Sequence, residues 1–196
     1  MDNLKSEKAR NTKRKIIKAA EILLMDKDIH KVSISEITKK AGVAKGTFYL
    51  YFECKEELAW SIISNNVLII SKDLEILNDA PATKETIDKL IHKSVKFSMK
   101  NKTVIKLVHH TQFLKFINYE DKNNVFEEQF ISIIKNWLDK GVENEVLDIK
   151  DTRFYATFIF LSVHEILERI ILGELDFELA KAEQQLKEIV HKIIGW

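Results

Sequence analysis

The side chains best suited to chemistry lie between Ser33 and Lys55, where Lys45, Thr47, Tyr49, Tyr51 and Lys55 crowd hydroxyl and ammonium groups into one short stretch. Such groups hydrogen-bond phosphate oxygens, and the same types placed deeper in a groove read the edges of bases. Gly46 lets a foreign surface come close, and Leu50 suits contact with a thymine methyl better than a hydrogen-bonding edge. Catalysis finds no comparable support. There is no glycine-rich phosphate loop, no nucleophile elbow and no cluster of catalytic type, so no catalytic residue is assigned and an enzyme is not expected. The arrangements nearest to a metal site are His109-His110 and the pair His164 with Glu168, four apart on one helical face. Two ligands do not make a site, and Glu168 stands where a His-Glu-x-x-His motif needs its second histidine. Neither metal nor cofactor is expected. Cys54 is the one cysteine, which excludes an internal disulfide and fits a reducing compartment.

The elements that must position these residues are helices. Ile16, Ile17, Ala20, Leu23 and Leu24 recur at three- and four-residue spacing and predict a first helix from about Ala9 to Lys27. Ser33 and Glu36 form a capping-box pattern that starts a second helix. That helix ends at Ala41-Gly42-Val43, where glycine admits a left-handed turn. A third helix is expected over Ala44 to Tyr51, with Phe48 and Phe52 facing inward, and a fourth runs from Cys54 to about Leu77. Residues 78 to 82 read as a loop, with Pro81 forbidding continuation and Thr83 capping the fifth helix. Five more helices are expected: Thr83 to Lys100, Thr103 to Asn118, Asp121 to Gly141, Asp151 to Gly173 and Phe177 to Ile194. No strand pattern competes.

Composition narrows the class. The 196 residues are 45% hydrophobic and 31% charged, with five Gly and one Pro, which describes a soluble helical protein. The longest apolar stretch, Phe154 to Val163, is too short to span a membrane, and the N-terminus lacks the apolar core of a secretory signal. A cytoplasmic protein without a membrane partner is expected. The net charge is only +1, yet residues 1 to 60 hold 13 Lys and Arg against 9 Asp and Glu. Lys8, Arg10, Lys13, Arg14, Lys15 and Lys18 concentrate that excess, as an electrostatic footprint for nucleic acid would.

Residues 10 to 60 resemble the tetracycline-repressor (TetR) family. The string Ala41-Gly42-Val43-Ala44-Lys45-Gly46-Thr47-Phe48-Tyr49-Leu50-Tyr51-Phe52, followed by Lys55-Glu56-Glu57-Leu58, carries the likeness, with Ile16 to Ala20 and Ile34 to Ile37 upstream. The resemblance implies an all-α protein of about nine helices: a three-helix helix-turn-helix DNA-binding domain over 1–54 and a helical ligand-binding and dimerisation domain over 55–196. It places Lys45 to Tyr51 on a recognition helix, with Gly46 permitting close approach and Tyr49 and Lys55 on phosphate. The expected DNA-contacting set is Arg14, Ser33, Lys45, Gly46, Thr47, Tyr49, Leu50, Tyr51 and Lys55. Three positions depart from the family pattern. Asp28 stands where glycine is common, Ala44 where Ser or Thr would cap the recognition helix, and Cys54 where Ser would cap the fourth.

Beyond residue 150 one helix is apolar nearly all round, so it is wholly internal or packs a second face on a partner. Phe158, Leu161, Ile166 and Ile170, with Leu186, Ile189 and Ile193 from the last helix, are the expected surface of a two-fold four-helix homodimer. Such a dimer sets two recognition helices about 34 Å apart on a palindromic operator, with the fourth helix transmitting the spacing. Trp60, Phe97, His110, Phe113, Phe116, Phe130, Trp137 and Tyr155, with His109, are candidate linings of a pocket for a small hydrophobic or amphipathic effector. The expected function is therefore a ligand-responsive repressor of double-stranded DNA. A helix-turn-helix protein without an inducer, acting architecturally or with a protein partner, and a helical carrier are the competing readings.

Overall fold

With one proline and five glycines in the sequence, the described residues fold almost entirely into helices. The computed structural model describes residues 2–109 and 120–196, and the side chains of 7–109 and 126–196. Among the described residues there are nine α-helices and no strand: α1 Asp2–Asp26, α2 Ile34–Ala41, α3 Lys45–Phe48, α4 Lys55–Leu74, α5 Lys84–Lys100, α6 Lys102–His109, α7 Glu120–Glu143, α8 Thr152–Leu172 and α9 Leu179–Ile193. Short 3-10 turns occupy Ile29–Lys31 and Glu75–Asn78. None of these helices is long and apolar enough to cross a membrane.

The first three helices enclose a small core of Ile16, Ala20, Leu24, Ile29, Ile37, Phe48 and Phe52. Its local geometry follows the motif. The Ser33 hydroxyl accepts the Glu36 N–H at 3.1 Å, and the Glu36 carboxylate accepts the Ser33 N–H at 2.8 Å, so both halves of the capping box form. Gly42 closes α2 at φ 68°, ψ 37°, with the next N–H reaching back to Thr38 O at 3.0 Å. Asp28, by contrast, sits at φ −71° and ψ 151°. The turn at this point is extended, so no left-handed residue is required there and the aspartate carries no strain. The third helix is shorter than expected. After Phe48 the Leu50 and Tyr51 N–H groups bond three residues back, to Thr47 and Phe48, which tightens the chain into a turn.

A second core lies in the remaining helices, with Leu77, Ile87, Ile91, Trp137, Leu138, Ala156 and Leu167 at its centre. Thr83 caps α5 as its position after Pro81 predicts. The helix expected from Thr103 extends past His109 in sequence, but that part lies outside the described residues. Gly141 does not end α7, which continues to Glu143. A Cβ on Gly141 would stand 2.5 Å from Leu147 Cδ1 and 2.9 Å from Ala82 Cβ, so the glycine admits close packing of the returning chain. Left-handed closure instead falls to Gly173 after α8, at φ 77°.

The two cores share elements. Leu58, Ala59, Ile62 and Ile63 of α4 and Val104 and Leu107 of α6 belong to the N-terminal core, while Leu74 of α4 belongs to the other. The Lys106 ammonium donates to Met25 O at 2.8 Å, tying α6 to the end of α1. The apolar packing of the reading module thus runs well past residue 54.

Candidate DNA interface and internal cavity

Helix α3 and the turn after it project from the N-terminal module because Phe48 and Phe52 are pinned beneath them, 5.6 Å apart between ring centres. Lys45 and Gly46 are exposed, Tyr49 is 52% and Leu50 79% accessible, and Thr47 and Tyr51 are half-buried. Leu50 is therefore no packing residue of the chain. A Cβ on Gly46 would meet nothing within 4 Å, so the module's own packing does not call for glycine there. Arg14 lies exposed on α1, its guanidinium donating to Asn11 Oδ1 at 3.2 Å. A cleft of about 410 Å³ opens beside α3, bordered by Ser33, Ser35, Lys45, Tyr49 and the start of α4.

Two residues of the expected DNA-contacting set have their polar groups engaged within the chain. Ser33 is committed to the capping box, where its hydroxyl also donates to Glu36 Oε2 at 2.8 Å. Lys55 extends its ammonium to three main-chain carbonyls, Ile29 at 2.8 Å, Val32 at 3.1 Å and His30 at 3.3 Å. Ile29 and His30 belong to the 3-10 turn and Val32 follows it directly, so in this structure Lys55 fastens the start of α4 to that turn.

Electrostatics around the caps are consistent with these roles. Hydrogen bonds from Lys27, then from the Ser33 N–H and hydroxyl, lower the Glu36 carboxyl from 4.5 to about 2. Cys54 caps α4 with sulfur, its Sγ accepting the Glu57 N–H at 3.4 Å. Burial, only partly offset by that bond, pushes the thiol above its ordinary value.

Between α4, α5, α6, α7 and α8 lies a cavity of about 450 Å³. Val67, Ile70 and Leu74 of α4, Phe97 of α5, Val104 and Ile105 of α6, Phe126 and Phe130 of α7, and Ile159 and Phe160 of α8 make it largely apolar. Its polar side is built on Glu168, only 4% exposed, which lies between two histidines. Glu168 Oε1 is 2.5 Å from His109 Nδ1, and Glu168 Oε2 is 3.2 Å from His164 Nε2. The far nitrogen of His109 meets Glu174 at 3.1 Å. Among the described residues no group of three or more His, Cys, Asp or Glu is arranged to hold a metal ion.

Of the aromatic residues the sequence offers for a pocket, Phe97 and Phe130 line this cavity. Trp60 stands behind it, its ring 5.7 Å from that of Phe126 and tilted by 30°. Trp137 is fully buried in the second core, donating to Pro81 O at 3.2 Å and packing edge-on against Trp196. Tyr155 packs on the outside of the same core. His110, Phe113 and Phe116 lie outside the described residues. The residues missed by sequence reading are the aliphatic wall of α4 and the buried Glu168. The i, i+4 pairing of His164 with Glu168 signalled a shared face, but nothing local shows His109 arriving from another helix.

Along α8 and α9 an apolar face remains open. Phe154, Phe158, Leu161 and Ile189 are 64%, 46%, 42% and 49% accessible. Ile166, Ile170 and Ile193 are less exposed, at its edges. Leu186 is 4% exposed and belongs to the protomer's own core, so it cannot supply the open face. Three residues further along, Ile189 points out while Leu186 and Val190 point in.

Comparison with known proteins agrees with this architecture. Residues 16–61 match the model of bacterial regulatory proteins, tetR family. The HTH-type transcriptional regulator YvdT of Bacillus subtilis is 29% identical over 92% of this chain and 94% of its own length. The fatty acid metabolism regulator protein of the same organism is 24% identical over 89% and 91%. Among solved structures, FadR from Bacillus subtilis in complex with stearoyl-CoA superposes with a TM-score of 0.74, at 23% identity, over 90% of this chain and 96% of that one. From motif, architecture and relatives together, residues 16–61 carry a DNA-binding module of the tetR family, and the chain as a whole is similar to transcriptional regulators of that kind.

Proposed function

We propose that this protein is a homodimeric repressor that binds a palindromic operator through α3 and releases it when a long-chain amphipathic effector fills the cavity. The observation that carries this reading is the double membership of α4 and α6. Ile63 of α4 and Val104 of α6 lie in the core of the DNA-reading module and also line the cavity. An occupant that pushes either helix displaces the platform on which α3 rests. A ligand shifts such an equilibrium only through different affinities for the two conformations. A hundredfold loss of operator affinity corresponds to about 2.7 kcal/mol of that difference.

The DNA-facing set supported by exposure is Arg14, Lys45, Gly46, Thr47, Tyr49 and Leu50, with Tyr51 partly covered. Dimerisation through the open α8 and α9 face supplies the second recognition helix that a palindrome needs. A hydrocarbon occupant is supported by the cavity's volume and apolar wall. It is supported too by the relative described as a fatty acid metabolism regulator and by the neighbour that holds stearoyl-CoA.

The test is a binding titration with an operator selected from random duplexes, Tyr49→Ala serving as control, repeated with long-chain amphipaths, stearoyl-CoA among them. Wild type is expected to bind at least about tenfold tighter than the variant, and at least one amphipath to weaken it by a similar factor. Equal binding by wild type and Tyr49→Ala refutes the DNA-reading assignment. A panel of amphipaths that leaves operator affinity unchanged refutes effector control.

A further inference from the structure

Resting on the reading of α3 and the turn after it as the DNA-facing surface, we propose that Leu50 is a specificity-determining residue that reads the C5 methyl group of a pyrimidine, thymine in ordinary DNA, at one position of each operator half-site. The fold does not account for the residue. Leu50 is 79% accessible and belongs to neither apolar core, although Phe48 two positions earlier is fully buried. The Leu50 N–H bonds to Thr47 O at 3.3 Å and the Phe52 N–H to Phe48 O at 3.0 Å, so the chain keeps winding past the end of α3 with Phe48 and Phe52 pinned beneath it. Leu50 is thus fixed at its backbone while its isobutyl group stands in solvent.

What surrounds it narrows the partner. Exposed with it in α3 and the turn are Lys45, Gly46 and Tyr49. Lys45 and Tyr49 supply an ammonium and a hydroxyl suited to phosphate or to a base edge, and the Tyr49 ring is braced edge-on against Phe48 at 5.5 Å. Gly46, one turn before Leu50, brings no side chain, and its open surroundings let a duplex approach the backbone. Leu50 is the one large side chain among these with neither donor nor acceptor. Pressed on the edge of adenine, guanine or cytosine in the major groove, it strips water from donors and acceptors and replaces none of their hydrogen bonds. A thymine edge also presents a methyl group, and covering that methyl with leucine removes apolar surface from water on both partners.

The test is a scan, with the full chain, of the operator selected from random duplexes, each thymine in turn being replaced by deoxyuridine, a change that deletes only the methyl group. Wild type is expected to lose about fourfold in affinity at one position of a half-site, as for one buried methyl group, and about fifteenfold when the symmetry-related thymine is replaced as well. At the same position 5-methylcytosine is expected to bind about fourfold tighter than cytosine, which separates the methyl from the rest of the base. With both thymines replaced, Leu50→Ala is expected to shrink the loss to within about threefold. A wild type indifferent to every deoxyuridine, or to cytosine methylation at the sensitive position, overturns the proposal; if Tyr49→Ala still weakens binding, the DNA-reading surface stands without it. Methyl dependence that persists undiminished in Leu50→Ala overturns it too, by giving the methyl to another side chain. A selected operator that wild type binds no better than Tyr49→Ala removes the DNA-reading surface and this proposal together.

Discussion

Replacing Gly46 with alanine separates what the fold needs from what the DNA needs. The residue lies in α3 with a helical backbone, and an added Cβ meets nothing within 4 Å. Alanine in a helix is more stable than glycine by about 0.5 to 1 kcal/mol, because glycine loses more freedom on folding. For a chain of this size that raises the melting temperature by about 1 to 4 °C. If α3 enters a major groove with Gly46 against the duplex, the same methyl is pressed into a packed contact, at about 1 to 3 kcal/mol for each recognition helix. A dimer carries two, so operator affinity falls at least about tenfold. Differential scanning fluorimetry and fluorescence anisotropy on one preparation read both numbers. A variant that melts lower than wild type, or one that binds the operator unchanged, refutes the reasoning, since the first contradicts the open space around Gly46 and the second removes DNA from it.

Lys55→Met removes an ammonium shared by three carbonyls. It should lower stability by about 1 to 3 kcal/mol in thermal melts, whereas a residue acting only on phosphate would leave the melt unchanged and flatten the salt dependence of binding. The Glu36 carboxyl, held at about 2 in the folded chain against 4.5, contributes stability above pH 4.5 that disappears as pH falls toward 2. Glu36→Gln should therefore remove part of the acid sensitivity seen by circular dichroism between those values, and an unaltered acid profile would count against the capping box as its source. Leu161→Glu places a charge in the open α8 and α9 face and should yield a monomer by light scattering with loss of operator binding; a dimer that persists would move the interface elsewhere.

The sequence made some of this legible because the signals were local. Ser33 with Glu36, Gly42 after α2 and Thr83 after Pro81 act within three or four residues, and each forms as its pattern predicts. What stayed hidden depended on distance along the chain. Lys55 finds its carbonyls 23 to 26 residues away, so a motif that places it beside DNA cannot reveal that it is occupied. Glu168 meets His109 from 59 residues away. Periodicity marks Leu186, Ile189 and Ile193 as one apolar stripe, but only packing shows that Leu186 belongs to the protomer while Ile189 is left uncovered. Gly141 looks like a helix end until the returning Leu147 is seen lying over it.

The sharing of α4 and α6 between the two cores bears on how such regulators can be rewired. Cutting after Cys54 strands Phe48, Ile37 and Ile16 without Leu58, Ile62, Val104 and Leu107 to cover them. The reading head is thus not a cassette that can be moved onto another sensor at the helix-turn-helix boundary. A functional chimera must bring its own first 63 residues together with an α6 whose Val104 and Leu107 fit them.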